Sequence, residues 1–162
     1  YKFSLAMDLE RMKREFGRDS ILLLRTHYYI ADQLDLTGLE DFVYNGSGYE
    51  DVSRLYLISD ICITDYSSVF FDYGNLKRPI LFFAYDYEDY KDEIRGLYIS
   101  MEDDLPGPIL QTNDELVEAL HHIDEITEKY KKRYNEFYKR FCSVDDGNAC
   151  QRTIDTVFGP IK

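Results

Sequence analysis

No tryptophan occurs among the 162 residues, and basic side chains are scarce: 19 Lys and Arg stand against 31 Asp and Glu, a formal net charge of −12. With a pI near 4.6, this balance excludes an extended nucleic-acid surface and offers nothing to hold an anionic membrane. Any anion site must therefore be local. Cys62, Cys142 and Cys150 are an odd number without paired spacing, and a chain of this size can build its core without a disulfide or metal staple. Cys62 lies in an apolar run, where a reduced thiol behaves as a small hydrophobe, so a cytosolic compartment is expected. No apolar run approaches the ~18–20 residues of a membrane span, and the N-terminus shows no signal peptide. The motifs G-x-x-x-x-G-K-[ST], G-x-G-x-x-G and G-x-S-x-G are all absent, which removes support from kinase, dinucleotide and hydrolase readings. There is no internal repeat and no low-complexity tract. An initiator methionine is missing too, and the chain opens on the lead-in to a helix, so an excised piece of something longer is expected.

What is present is aromatic and ordered. Fifteen tyrosines and ten phenylalanines fit half-buried positions across a sheet and its helices, and by themselves they name no ligand. Leu9, Met12 and Phe16 stand at helical spacing over residues 8–17, so an amphipathic helix is expected there. Ile21–Arg25, Phe42–Tyr44, Ile61–Thr64 and Pro79–Ala84 read as buried strands, with helices at 51–58 and 69–76 between the later ones. Strand and helix alternating at this spacing predict a Rossmann-like, doubly wound parallel α/β sheet. After an acidic, tyrosine-rich connection a short strand is expected at 97–99, then a loop over 103–108. Helices follow at 113–122, with Asn113 as cap, at 124–141 and at about 146–158. The expected organisation is one domain over 1–162, with an α/β core at 1–112 and C-terminal helices at 113–162.

Residues 61–79 carry the strongest chemical signal. A strand ending at Thr64 runs into Asp65, Ser67 and Ser68, all good helix-start residues, and the helix they open ends near Lys77, Arg78 and Pro79. A helix that starts at the carboxyl end of a buried parallel strand aims free N–H groups and the positive end of its dipole at the crevice where such sheets bind ligands. Ser67 and Ser68 add hydroxyls. Asp72 falls on the same face as Ser68, roughly 6 Å along the axis, which suits a phosphate at the serines and a ribose diol at the carboxylate. The plainer alternative is that the serines only cap the helix and Asp72 is a solvated acid.

Other candidates are weaker. His27 follows the first strand and has a pKa suited to bonding a diphosphate oxygen or protonating a leaving phosphate, though a lone histidine is more often an ordinary loop residue. Arg25 suits a phosphate or a nearby acid. The loop Asn45, Gly46, Ser47 and Gly48 allows backbone to approach a flat base, or is a plain turn. Arg95 suits a phosphate, with Pro106-Gly107-Pro108 as a lid or simply a rigid loop. His121 and His122 are neighbours on a helix whose side chains diverge, so they make no zinc pair, and no metal site is expected.

Taken in order, Arg25-x-His27, Asp60 to Ser68, Phe71 to Tyr73, Lys77 to Pro79, Phe82 to Asp86, Arg95 to Tyr98, Asp104 to Pro108 and Phe141 to Gly147 resemble the CDP-glycerol glycerophosphotransferases of teichoic acid synthesis in Gram-positive bacteria. The resemblance covers nearly the whole chain. It implies the C-terminal, donor-binding half of a two-domain GT-B fold, in an enzyme that moves glycerol phosphate from CDP-glycerol to a lipid-linked primer or polymer and releases CMP. It implies no cofactor and no metal of the nucleotide-sugar type. Carried onto these residues, Ser67 and Ser68, with Thr64 and Arg95, hold the diphosphate, Asp72 the ribose and His27 a phosphate oxygen at the reacting centre, leaving Asn45, Gly46 and Ser47 as the base loop. A second histidine, acting as base for the acceptor hydroxyl, belongs by the same resemblance to an N-terminal acceptor domain absent from this sequence, as do the acceptor groove and the membrane contact. The chain alone is therefore expected to bind donor without turnover, and the full protein to sit at the inner face of the cell membrane. Three alternatives stay open: a CDP-ribitol-dependent relative, half of a GT-B transferase or epimerase using a UDP-sugar, and a non-catalytic Rossmann-like interaction domain.

Overall fold

The computed structural model describes residues 5–26, 34–87, 101–144 and 146–159. The expected strand at 97–99, together with His27 and Arg95, lies outside them. Among the described residues the strands are β1 (Leu22–Leu24), β2 (Val43–Asn45), β3 (Cys62–Thr64), β4 (Ile80–Phe83) and β5 (Ile109–Leu110). The helices are α1 (Leu9–Phe16), α2 (Val52–Ile58), α3 (Val69–Tyr73), α4 (Met101–Asp104), α5 (Asn113–His121), α6 (Ile123–Phe137) and α7 (Ala149–Phe158).

All strand pairs are parallel, as the alternating pattern predicts, but the hydrogen bonding forms two sheets where one was expected. β1 pairs with β2, setting Leu22 opposite Val43, and β3, β4 and β5 form a second sheet, with Cys62 opposite Ile80 and Phe82 opposite Ile109. One hydrophobic core spans both. Leu24 and Val43 from the first sheet share a buried cluster with Leu81, Phe83 and Leu110 from the second and with Leu116 and Val117 of α5. The other face of β4 presents Ile80 and Phe82 to Phe70, Tyr73, Leu105, Phe137 and Cys142. Consecutive residues of β4 thus enter opposite cores, which is why Ile80–Phe83 contains no polar residue.

Several boundaries differ from the sequence expectation. The segment 103–108, expected as loop, begins inside α4, and β5 follows it unannounced. The helix expected over 69–76 is α-helical only to Tyr73, tightens into a 3₁₀ turn at Gly74–Leu76 and stops at Lys77, whose φ of 54° is left-handed. Helix α6 continues as a π-helical turn at Tyr138–Cys142. Thr112, not Asn113, caps α5. Its hydroxyl accepts from the Glu115 N–H at 3.2 Å while the Glu115 carboxylate accepts from the Thr112 N–H at 3.0 Å and the Gln111 N–H at 2.7 Å, a reciprocal capping box. Those bonds, led by the Gln111 N–H, hold the Glu115 carboxyl below its ordinary range. Thr112→Ala is expected to cost about 1 kcal/mol, read as a lowered urea midpoint with an unchanged slope.

Beneath the strands, Arg78 ties three helices together. Its Nη1 donates to the carbonyls of Leu57 and Ser59 at 2.9 and 2.6 Å, closing the end of α2. The Tyr73 hydroxyl donates to the same Ser59 carbonyl at 2.9 Å, and Tyr134 of α6 donates to the Arg78 carbonyl at 2.8 Å. Burial pushes both phenols up, so they remain neutral donors.

Candidate functional site

The candidate residues gather where strands end. Thr64 closes β3 and is half-buried, and the chain then turns on Asp65, whose carboxylate accepts the Ser67 N–H at 2.9 Å. This side-chain-to-backbone bond, two residues on, shapes the turn that presents the serines. Ser67 and Ser68 are exposed. Ser68 occupies the cap position of α3 with helical φ and ψ of −65° and −3°, and its side chain makes no bond to the helix. A serine acting as a cap would sit in extended backbone and accept an N–H from the next turn. The Ser68 hydroxyl is thus left for another partner. Asp72 is exposed on α3, within its first turn.

On the reverse side α3 is anchored by aromatics. Phe70 is 5 % exposed and meets Phe82 edge-to-face at 5.2 Å between ring centroids, and Phe71 stacks on Phe137 at 5.6 Å. The half-buried Tyr66 between turn and serines donates to Asp86 at 2.8 Å, linking the turn after β3 to the one after β4.

The loop after β2 is more heavily engaged than its sequence suggests. Asn45 accepts the Ser47 N–H at 3.0 Å. The Ser47 hydroxyl accepts the Thr26 N–H at 3.0 Å and lies 3.2 Å from the Thr26 hydroxyl. Gly46 donates its N–H to the Leu24 carbonyl at 2.8 Å. Arg25 is tied to the same loop: its Nη1 donates to the carbonyls of Gly46 at 3.0 Å and Tyr49 at 2.6 Å.

Tyr56 connects the two regions. Its ring meets Tyr73 edge-to-face at 5.9 Å. Its phenol is pushed up first by burial and then by the Asp72 carboxylate, while the Arg25 guanidinium pulls the other way. At the start of β3, burial pushes the Cys62 thiol up to about 12, so it stays protonated and inert. Among the described residues no group of three or more His, Cys, Asp or Glu gathers as metal ligands would. The roles of Tyr66 and Arg25 as ties between loops escaped the sequence reading: the backbone carbonyls that Arg25 meets leave no residue-type signature, and Tyr66 and its partner Asp86 stand 20 residues apart.

Residues 1–159 match the family described as CDP-Glycerol:Poly(glycerophosphate) glycerophosphotransferase. A teichoic acid poly(glycerol phosphate) polymerase of Staphylococcus epidermidis (strain ATCC 35984) is 48% identical over 162 residues, covering 100% of this chain and 22% of the relative. A teichoic acid glycerol-phosphate transferase of Staphylococcus aureus (strain NCTC 8325) is 46% identical over 158 residues, 98% of this chain and 40% of the relative. A teichoic acid poly(ribitol-phosphate) polymerase of Bacillus spizizenii is more distant, at 32% identity over 162 residues, 99% of this chain and 25% of the relative. Among solved structures, a variant of the wall teichoic acid polymerase TagF soaked with CDPG superposes with a TM-score of 0.87 at 48% identity, covering 95% of this chain and 38% of that one. The chain spans well under half the length of each of these relatives. Its α/β fold is that of the matching part of a GT-B-type polymerase, and the chain belongs to the CDP-glycerol:poly(glycerophosphate) glycerophosphotransferase family.

Proposed function

We propose that this chain is the donor-binding domain of a transferase that moves glycerol phosphate from CDP-glycerol to the terminal hydroxyl of a lipid-linked teichoic acid primer or polymer, releasing CMP. The observation that carries this reading is the family match over residues 1–159. It is supported by two exposed serines at the end of β3, one of them at a cap position it does not use as a cap. In the reaction the acceptor oxygen attacks the phosphorus bearing glycerol, the phosphorus–oxygen bond to CMP breaks, and CMP leaves with the electron pair. The hydroxyl proton passes to a base in the acceptor part of the full protein.

Ser67 and Ser68, with Thr64, the first-turn N–H groups of α3 and Arg95, hold the diphosphate. Asp72 accepts from the ribose hydroxyls, His27 bonds a phosphate oxygen at the reacting centre, and Asn45 and Gly46 meet the base. Ser47 serves this loop through its bonds to Thr26. No metal or other cofactor enters the proposal, since preorganised hydroxyl and amide donors stabilise charge developing on a leaving phosphate. Among the described residues no helix is long and apolar enough to cross a membrane, and contact with the inner face of the membrane is assigned to the rest of the protein. Glycerol rather than ribitol phosphate is favoured by identities of 43–48% to glycerol-phosphate relatives against 28–35% to ribitol-phosphate ones.

The test is donor affinity of the full-length enzyme for CDP-glycerol, CDP-ribitol and UDP-glucose, with Ser68→Ala and Asp72→Ala alongside. Each variant is expected to weaken CDP-glycerol about tenfold or more, since a hydrogen bond to a charged group contributes about 1.5–3 kcal/mol. Preference for UDP-glucose would overturn the donor assignment. Unchanged affinity in both variants would remove Ser68 and Asp72 from the donor site, and no binding of any of the three donors would leave an interaction domain.

A further inference from the structure

We propose that Arg25 is a positioning residue for recognition of the nucleobase, acting through the loop Asn45–Tyr49 and not by touching the donor phosphates. This inference rests on the donor-site reading above and adds to it the element that sets base selectivity. The guanidinium leaves the end of β1, crosses to the neighbouring loop and gives both its Nη1 bonds to main-chain oxygens, Gly46 at 3.0 Å and Tyr49 at 2.6 Å. These carbonyls lie at the two ends of a tight turn, closed by the Tyr49 N–H on the Gly46 carbonyl at 3.1 Å. Three more bonds come from the same strand end: Gly46 N–H to the Leu24 carbonyl, Thr26 N–H to the Ser47 hydroxyl, and the Thr26–Ser47 hydroxyl pair.

The loop is thereby fixed to β1 at three successive residues, Leu24, Arg25 and Thr26. Its underside lies close to α2, since a Cβ on Gly46 would stand 3.2 Å from Leu55. A loop held in this way offers a rigid pattern of peptide donors and acceptors, which is what distinguishes the amino edge of cytosine from the carbonyl edge of uracil. Charge-assisted bonds to carbonyls are the strongest of the set, so Arg25 controls the register of that pattern.

The experiment measures CMP and UMP affinity, and the KM and kcat for CDP-glycerol, in the full-length enzyme carrying Arg25→Ala or Arg25→Lys, with thermal unfolding followed in parallel. Arg25→Ala is expected to raise KM with kcat nearly unchanged and to shrink the preference for CMP over UMP at least fivefold. Arg25→Lys, whose ammonium can donate to both carbonyls, is expected to restore part of that preference. A direct phosphate contact would weaken CMP and UMP equally, and a purely structural role would lower the unfolding temperature with the preference intact. Either result overturns the proposal while leaving the donor site standing. Failure of the unaltered enzyme to bind CMP would overturn the donor reading and this inference together.

Discussion

Gly107→Ala is expected to destabilise the protein by about 3 kcal/mol or more, at the upper end of what overpacking a core produces. A Cβ at this position would stand 1.8 Å from the Ile80 carbonyl oxygen and 2.9 Å from its carbon. Neither atom can retreat, because Ile80 opens the fully buried β4 and is itself 1 % exposed. Next to it the Phe82 N–H donates to the Pro108 carbonyl at 3.0 Å, so displacing residue 107 also strips the bond that starts the β4–β5 pairing. Pro106 and Pro108 stiffen the segment on both sides and leave it no easy detour. Equilibrium urea unfolding of Gly107→Ala beside Gly48→Ala is the check, since a Cβ at Gly48 meets nothing within 4 Å. A loss below about 0.5 kcal/mol, the range of neutral surface changes, would show that the contact is not what holds glycine there.

Phe137→Ala is expected to cost about 3–5 kcal/mol, the range for deleting a buried aromatic ring. Phe137 is 2 % exposed and sits among Phe70, Phe71, Tyr134 and Phe141, with centroid distances from 5.1 to 6.3 Å. Gly74 is matched to it, since a Cβ there would fall 2.8 Å from the Phe137 ring. Two of these neighbours, Phe70 and Phe71, are the reverse side of α3, the helix that carries Asp72 and follows Ser68. Loss of the ring is therefore expected to weaken donor binding as well as stability, although Phe137 itself is buried. Unfolding by circular dichroism and nucleotide titration on the same preparation test the two effects, and a stable variant with normal affinity would refute both.

Among the described residues, four of the five strands were legible as apolar runs, most clearly β4, whose four residues are all buried, whereas β2 keeps only Val43 buried and ends on exposed Tyr44 and Asn45. The fifth was not, since Ile109–Leu110 is too short to carry a pattern and follows two prolines that read as loop. The helix after Ser68 ends earlier than its composition implies: Gly74 and Asn75 tolerate helix, but the close approach of Phe137 and Cys142 selects a tight turn there. Thr112 lost the cap position to Asn113 in the sequence reading because both are good caps, and only the reciprocal bond to Glu115 decides between them. Ser67, Ser68 and Asp72 stood out because hydroxyls and a carboxylate beside a buried strand are chemically conspicuous. Arg25 was visible as a charge but not as a clasp, and Ser47 as a polar loop residue whose hydroxyl is in fact committed to Thr26.

The parallel pairing of β4 with β5 has a consequence for synthesis. Chains emerge from the ribosome N-terminus first, and parallel partners cannot be supplied by a local hairpin. Ile80–Phe83 therefore leaves the exit tunnel well before residues 109–110, and one edge of an entirely apolar strand waits unpaired while the acidic, tyrosine-rich connection is translated. An uncovered apolar edge is an aggregation hazard. That connection carries Asp86, Glu88, Asp89, Asp92 and Glu93 against Lys91 and Arg95, and like charge of this kind opposes association between copies.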